Sequence, residues 1–172
     1  RTEYPQEGLK YVKKFSPQVR FDSSSGRRDL RDLDFVTIDG KTARDFDDAV
    51  CVIPDIDSGG FRLFVAIADV AHYVRPKDPV DQEALIRGTS VYFPTHAVPM
   101  LPEELSNNLC SLRPNVNRLT LTCEMRIDRS GEVIGYSLSE SIIRSRARVI
   151  YEDVADLLDG RTSSISSPEL QA

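Results

Sequence analysis

Four aspartates fall within ten consecutive residues, between two apolar segments that have the character of β-strands. They are Asp39, Asp45, Asp47 and Asp48, and the flanking segments cover residues 34–38 and 49–53. Folding like charges so close together is unfavourable unless a cation offsets their repulsion. Dense carboxylates on a short rigid loop are typical of sites for hard divalent cations, above all Mg²⁺. The pattern therefore favours a metal site that acts on phosphate groups.

A solvated turn is the competing interpretation, because aspartate forms turns and a run of charges commonly faces water. Phe46 lies inside the cluster, however, and predicts that part of the loop points into a core. Lys41 and Arg44 are the only positive charges nearby, too few to pair every carboxylate. An EF-hand does not fit, because a loop starting at Asp45 has a valine where the sharp-turn glycine belongs. The scattered histidines and cysteines do not have the spacing of a zinc site.

The net charge of −5 argues against a protein that binds nucleic acid by surface attraction alone. It is compatible with an enzyme whose bound metal ions neutralise a concentrated acidic site. Three well-separated cysteines give no disulfide pattern, which favours reduced thiols and a cytoplasmic location. No run of eighteen apolar residues occurs, so no membrane contact is predicted.

Turn-forming residues and the alternation of apolar and polar residues predict the strands. Residues 1–26 are predicted to be a linker or short helical arm, which ends in a flexible Ser-Ser-Ser-Gly joint. The segment 61–68 is apolar on both faces and is placed in the middle of a sheet. Alternation over residues 118–127, followed by a turn at 128–131, predicts a long antiparallel hairpin. The predicted strands before this hairpin cover residues 34–38, 48–54 and 61–68, with a turn at 57–60.

Three short helices are predicted between and after the strands. Asp78 and Pro79 have the pattern of an N-cap and first helical residue, and this helix ends near Gly88. Pro102 opens a second helix in the same way, and an apolar repeat starting at Tyr151 predicts a third, which ends near Gly160. The last segment, 161–172, is predicted to be loop. The fold class is therefore α+β, with a largely antiparallel sheet and short helices.

Several motifs follow one another in a fixed order between residues 27 and 160. In this order they resemble the ribonuclease II/ribonuclease R family of 3′→5′ exoribonucleases, which share the RNB catalytic domain. The motifs that carry the resemblance are Arg31–Leu33, Val36–Gly40, Ala43–Ala49, Val65–Val74, Tyr92–Pro94, Pro99–Pro102 and Leu109–Leu112.

The resemblance implies processive hydrolysis of single-stranded RNA from its 3′ end, with release of nucleoside 5′-monophosphates. By this likeness, Asp39, Asp45, Asp47 and Asp48 hold one or two Mg²⁺ ions at the scissile phosphate. Mg²⁺ keeps its water tightly, so such a site uses few direct carboxylates and holds the others through water. Which aspartate would contact the metal directly stays open.

The resemblance also assigns RNA contacts to two tyrosines. Tyr92 matches an aromatic residue that stacks near the 3′-terminal bases, and Tyr151 matches one that positions the RNA end. Each has a structural alternative, since Tyr92 could be ordinary core and Tyr151 could serve only to pack its helix. Arg144, Arg146 and Arg148 alternate on one strand face. They could follow phosphates, although a solvated sheet face is favoured.

The family's catalytic domain is longer than the matched segment, and OB-fold RNA-binding domains flank it. Residues 27–172 are therefore expected to be the N-terminal portion of an incomplete RNB-like domain, with the C-terminal half and the OB-fold domains as its partners. Weak or no activity is expected for this chain alone. Two other functions stay open: a non-catalytic RNA-binding or regulatory homologue, and a structural metal-binding domain.

Overall fold

The computed structural model describes residues 2–161, and in these residues the strand-like segments pair as a mainly antiparallel sheet. Each hairpin predicted from a turn signal is present. The strands are β1 Arg28–Asp29, β2 Val36–Asp39, β3 Asp48–Asp55, β4 Gly60–Ala68, β5 Val91–Tyr92, β6 Ala97–Val98, β7 Asn117–Ile127, β8 Val133–Arg144 and β9 Ala147–Ile150.

Seven of these strands form one sheet in the order β1–β8–β7–β4–β3–β2–β9, and β5 and β6 form a separate pair. The pairs β1–β8 and β2–β9 are parallel, and the other neighbours are antiparallel. Strand β4 is the central strand, as its apolar character on both faces predicts. The α+β prediction is confirmed. The parallel β2–β9 pair matters for function, because it places the end of the chain's last strand beside the first aspartate.

The helices are short. Asp78 caps one of them by accepting hydrogen bonds from the backbone of Val80 and Asp81, and Gly88 ends it with a positive φ of 72°, as predicted. The segment after Pro102 is helical as expected, but it becomes a π-helix whose first and last residues are both buried. The helices are α1 Gln6–Val12, α2 Val70–Tyr73, α3 Pro79–Arg87 and α4 Tyr151–Leu158, and the π-helix is Leu105–Leu109. Where a flexible joint was expected, Ser23–Ser25 forms a 3₁₀ helix that the Asp22 side chain caps.

Both ends of the described chain contact the sheet or its edge. Helix α1 places Val12 in the core with 2% of its surface exposed, so the first residues form a docked helical arm. The domain boundary at residue 26 stays a prediction. Helix α4 follows β9 and ends before Gly160, close to the predicted end. Residues 161–172 were predicted to be loop, and residues 162–172 lie outside the described part of the chain. Within residues 2–161, no helix has the length and apolarity needed to cross a membrane.

The inner face of the sheet is partly polar. Thr120 and Thr122 of β7 are 0% and 2% exposed, and their hydroxyl groups hydrogen-bond with each other and with the buried Ser141 of β8. Leu121, between these two threonines, therefore points to the opposite side, whereas Leu119 at the start of β7 is buried in the core. On the opposite side, exposed apolar residues of four neighbouring strands form what we call the outer apolar face. Between 46% and 74% of the surface of each residue is exposed, and the residues are Val52, Phe61, Ile67, Leu121, Tyr136 and Leu138.

Gly60 allows β4 to lie close to β7 and so fixes the hairpin that carries the acidic end of β3. A Cβ atom at this position would lie 2.0 Å from the carbonyl oxygen of Ile127, which is backbone and cannot move aside alone. We expect Gly60→Ala to lower the free energy of unfolding by ~2 kcal/mol or more. Urea unfolding measures this. The matched control is Gly135→Ala, because a Cβ there has no atom within 4 Å; equal midpoints for the two variants would contradict the prediction.

Candidate active site

The acidic loop, residues 39–48, connects β2 to β3. Asp39 is the last residue of β2 and Asp48 the first of β3, and the chain between them is a turn followed by irregular backbone. In a continuous strand, Asp47 and Asp48 would point to opposite faces of the sheet. Because the backbone is irregular from residue 43 to residue 47, the alternation of a continuous strand does not dictate where the Asp45 and Asp47 carboxylates point.

The middle of the acidic loop is anchored to the core through Phe46. Its ring is buried, with 7% exposed, which confirms that the loop points partly inward. The Phe46 N–H donates to Ser111 Oγ at 3.2 Å, and its carbonyl accepts from the Leu112 N–H at 2.8 Å. The next carbonyl, that of Asp47, accepts from the Ala68 N–H at 2.8 Å. Backbone and ring groups therefore hold the loop without using its carboxylates.

The carboxylates act on each other electrostatically. Desolvation by nearby protein atoms raises the pKa of Asp47, although part of its side chain is exposed. The negative charges of Asp45, Asp48 and Asp39 raise this pKa further. Partial burial raises the pKa of Asp39 as well, and nearby Asp48 and Asp45 add to this. The neighbouring Thr37 hydroxyl and the charge of Arg148 oppose the increase in this pKa. Among residues 2–161, no ion pair joins any of the four carboxylates to a lysine or arginine. The loop thus carries uncompensated negative charge.

This arrangement fits a divalent cation held partly through water. In the described part of the chain, no three Asp, Glu, His or Cys side chains form a ready-made set of metal ligands. Asp39 Oδ2 is buried and accepts no hydrogen bond from residues 2–161, so a cation would give it a partner. Asp47 and Asp48 are exposed and free to turn toward the same ion. Four carboxylates with few direct contacts suit Mg²⁺, which retains most of its water. That these residues bind metal stays a prediction.

Tyr92 lies beside the acidic loop with its ring in solvent. Its hydroxyl donates to Asp45 Oδ2 at 3.4 Å, and the charge of Asp45 raises the pKa of Tyr92. Because 72% of its surface is exposed, the alternative that Tyr92 is ordinary core is wrong. Tyr92, Asp45 and Asp47 line a cleft of about 450 Å³ whose floor includes Leu101. An aromatic ring and two carboxylates therefore share one cleft.

Tyr151 lies at the edge of the same region. It follows Ile150, which pairs with Asp39 in the β2–β9 register, and it begins α4. Tyr151 is 60% exposed, so most of its side chain is available for contacts other than packing of its helix. Contact of either tyrosine with RNA stays a prediction.

Sequence reasoning missed two residues that hold the acidic loop. Ser111 is fully buried and contacts the loop from a segment 65 residues away. Arg148 was expected on a solvated face with Arg146, but it is half-buried and donates to the carbonyls of Gly40 and Lys41. The strand alternation could not reveal this, because the contact depends on the parallel pairing of β9 with β2.

Comparison with known proteins identifies the family. A family profile described as "RNB domain" matches residues 27–172. The chain belongs to the RNB domain family. Ribonuclease R of Acidithiobacillus ferrooxidans is 52% identical over 158 residues, which are 92% of this chain and 36% of that protein. Ribonuclease R of Escherichia coli is 51% identical over 157 residues, which are 91% of this chain and 19% of that protein.

Solved structures agree in fold. Mycoplasma genitalium RNase R in complex with ribose-methylated single-stranded RNA superposes with a TM-score of 0.87 at 38% identity, over 98% of this chain and 26% of that one. The RNB family chain described here thus spans between about a fifth and a third of the length of these relatives.

The Ser111 hydroxyl supports the acidic loop through two hydrogen bonds, since it also donates to the Arg44 carbonyl at 3.0 Å. Ser111→Ala leaves a buried donor and an acceptor unpaired, so we expect it to destabilise this RNB chain by ~1–3 kcal/mol. Chemical denaturation followed by circular dichroism measures this. Ser145→Ala serves as the control, because its equally buried hydroxyl donates only to the Leu112 carbonyl. A smaller loss for Ser111→Ala than for Ser145→Ala would contradict the expected role.

Proposed function

We propose that this chain carries the acidic metal site of a Mg²⁺-dependent 3′→5′ exoribonuclease that hydrolyses single-stranded RNA to nucleoside 5′-monophosphates. The observation that carries the proposal is that four carboxylates lie on one anchored loop of an RNB domain family chain, and none of them forms an ion pair within residues 2–161. Relatives that match over more than 90% of the chain are named Ribonuclease R. Because the chain spans only part of their length, the activity is proposed for the whole protein, and weak or no activity for this chain alone.

Asp39, Asp45, Asp47 and Asp48 are proposed to hold one or two Mg²⁺ ions. When bound, the metal supplies positive charge that stabilises the phosphate and the departing oxygen during displacement. The chain's own contribution is to fix the backbone of the loop with hydrogen bonds, and this places Asp45 and Asp47 on the wall of the cleft beside Tyr92. The buried part of Asp39 excludes water on one side, and the exposed Asp47 and Asp48 are open to the substrate.

Tyr92 and Tyr151 are proposed to hold the 3′ end of the RNA. Stacking of a base on an aromatic ring contributes ~1–3 kcal/mol and tolerates any base, which suits degradation without sequence preference. Because the Tyr92 hydroxyl is within reach of Asp45, a base stacked on this ring would bring its phosphate toward the acidic loop. Structural relatives that were solved with single-stranded and double-stranded RNA support RNA as the partner.

The remaining proposals concern the rest of the protein. The C-terminal half of the catalytic domain and flanking OB-fold domains are proposed partners of the described part, in the cytoplasm. The two alternatives, a non-catalytic homologue and a structural metal-binding domain, gain no support, because all four aspartates are present and both tyrosine rings are exposed.

Substituting one carboxylate tests the proposal. In the whole protein, we expect Asp47→Asn to reduce Mg²⁺-dependent release of mononucleotides from body-labelled single-stranded RNA by about 100-fold or more, because electrostatic support of the transition state is lost. The control is Asp57→Asn, which removes an exposed aspartate in the β3–β4 turn. Wild-type protein without Mg²⁺-dependent release, or an Asp47→Asn variant as active as the control, would overturn the proposal.

A further inference from the structure

Arg148 connects the last strand of the sheet to the first half of the acidic loop. It lies on β9, next to Thr37 of β2 in the parallel pair. One guanidinium nitrogen donates to the carbonyl oxygens of Gly40 at 2.8 Å and Lys41 at 2.7 Å. These two residues follow Asp39 directly, so the turn that leaves the first aspartate is tied to β9.

The same guanidinium also contacts the second half of the loop. Its central carbon lies 5.1 Å from the centre of the Phe46 ring, in a cation–π arrangement. Phe46 stands between Asp45 and Asp47, and its ring is buried. A single side chain thus touches the loop after its first carboxylate and again between its second and third.

Arg148 makes these contacts without using a carboxylate. In the described part of the chain it forms no ion pair with Asp39, although its charge opposes the increase in the pKa of that carboxyl, and Asp39 Oδ2 accepts no hydrogen bond. A direct ion pair would occupy the carboxylate oxygen and compete with a cation for it. Because the arginine donates to backbone carbonyls instead, it can fix the loop and leave the acids available.

We infer that Arg148 is a positioning residue that sets the spacing between Asp39 and the Asp45–Asp48 part of the loop. This role rests on the proposed function, because it concerns binding of Mg²⁺ by the same loop. The planar guanidinium donates along its edge while its face lies on the Phe46 ring, a combination that the ammonium group of lysine cannot reproduce. Loss of the side chain therefore removes the contacts that hold the two halves of the loop at a fixed spacing.

The test compares Arg148→Met and Arg148→Lys with Arg146→Met in the whole protein. Arg146 is the matched control, because it lies two residues away and pairs with the exposed Asp34 at 2.9 Å, outside the acidic loop. Mg²⁺ binding is measured by titration calorimetry, with Asp47→Asn as the baseline for the site. The half-saturating Mg²⁺ concentration for RNA hydrolysis is measured separately, well below the unfolding temperature of each variant.

We expect Arg148→Met to raise the half-saturating Mg²⁺ concentration by about 10-fold or more, the usual effect of losing a group that orients metal ligands. Most of the rate should return at saturating Mg²⁺, since the carboxylates are intact. Arg148→Lys should show a smaller increase, and Arg146→Met should behave as wild type. A residue with a purely structural role would lower the melting temperature and leave the Mg²⁺ requirement of the folded protein unchanged.

The outcomes separate this inference from the proposed function. A wild-type protein that neither binds Mg²⁺ nor hydrolyses RNA would contradict both the proposed function and the positioning role. If the wild-type protein binds Mg²⁺ and the folded Arg148 variants bind it with the same affinity, only the positioning role is contradicted. If Arg148→Met does not fold, Arg148→Lys decides: an unchanged Mg²⁺ requirement in that variant overturns the inference, and an increased one supports it.

Discussion

Mutual repulsion within the acidic loop is the constraint around which the described part of this RNB domain is built. The loop keeps its carboxylates free of ion pairs and is held instead by groups that do not compete for them. Ser111 and Leu112 bind it from one side, Ala68 from the centre of the sheet, and Arg148 from the far edge. These anchors come from distant parts of the chain, so the position of the loop depends on several strands of the sheet at once.

Much of the fold could be predicted because its signals are local. The turn between β3 and β4, the long β7–β8 hairpin and the caps of α3 each depend on residues within a few positions of one another. The central place of β4 follows from apolar residues on both of its faces. The acidic loop itself was recognisable for the same reason, since its charge and its buried Phe46 stand side by side in the sequence.

Features that depend on distant pairing could not be predicted. Strand β7 alternates apolar and polar residues, and the usual expectation would turn Leu121 inward. The structure buries Thr120 and Thr122 instead, because their hydroxyls and that of Ser141 satisfy one another. Arg148 looked like a surface residue for a similar reason: its partners are more than 100 residues away and are reached only through the parallel edge pair.

The outer apolar face governs how this part of the chain behaves in solution. Large side chains such as Leu138 and Tyr136 lie in rows over four neighbouring strands, and each is mostly open to water. Exposed apolar patches of this kind promote self-association, because contact between two copies removes apolar surface from water. We therefore expect residues 2–161, when handled alone, to self-associate as their concentration rises, and a mild detergent that covers this face to reduce the association.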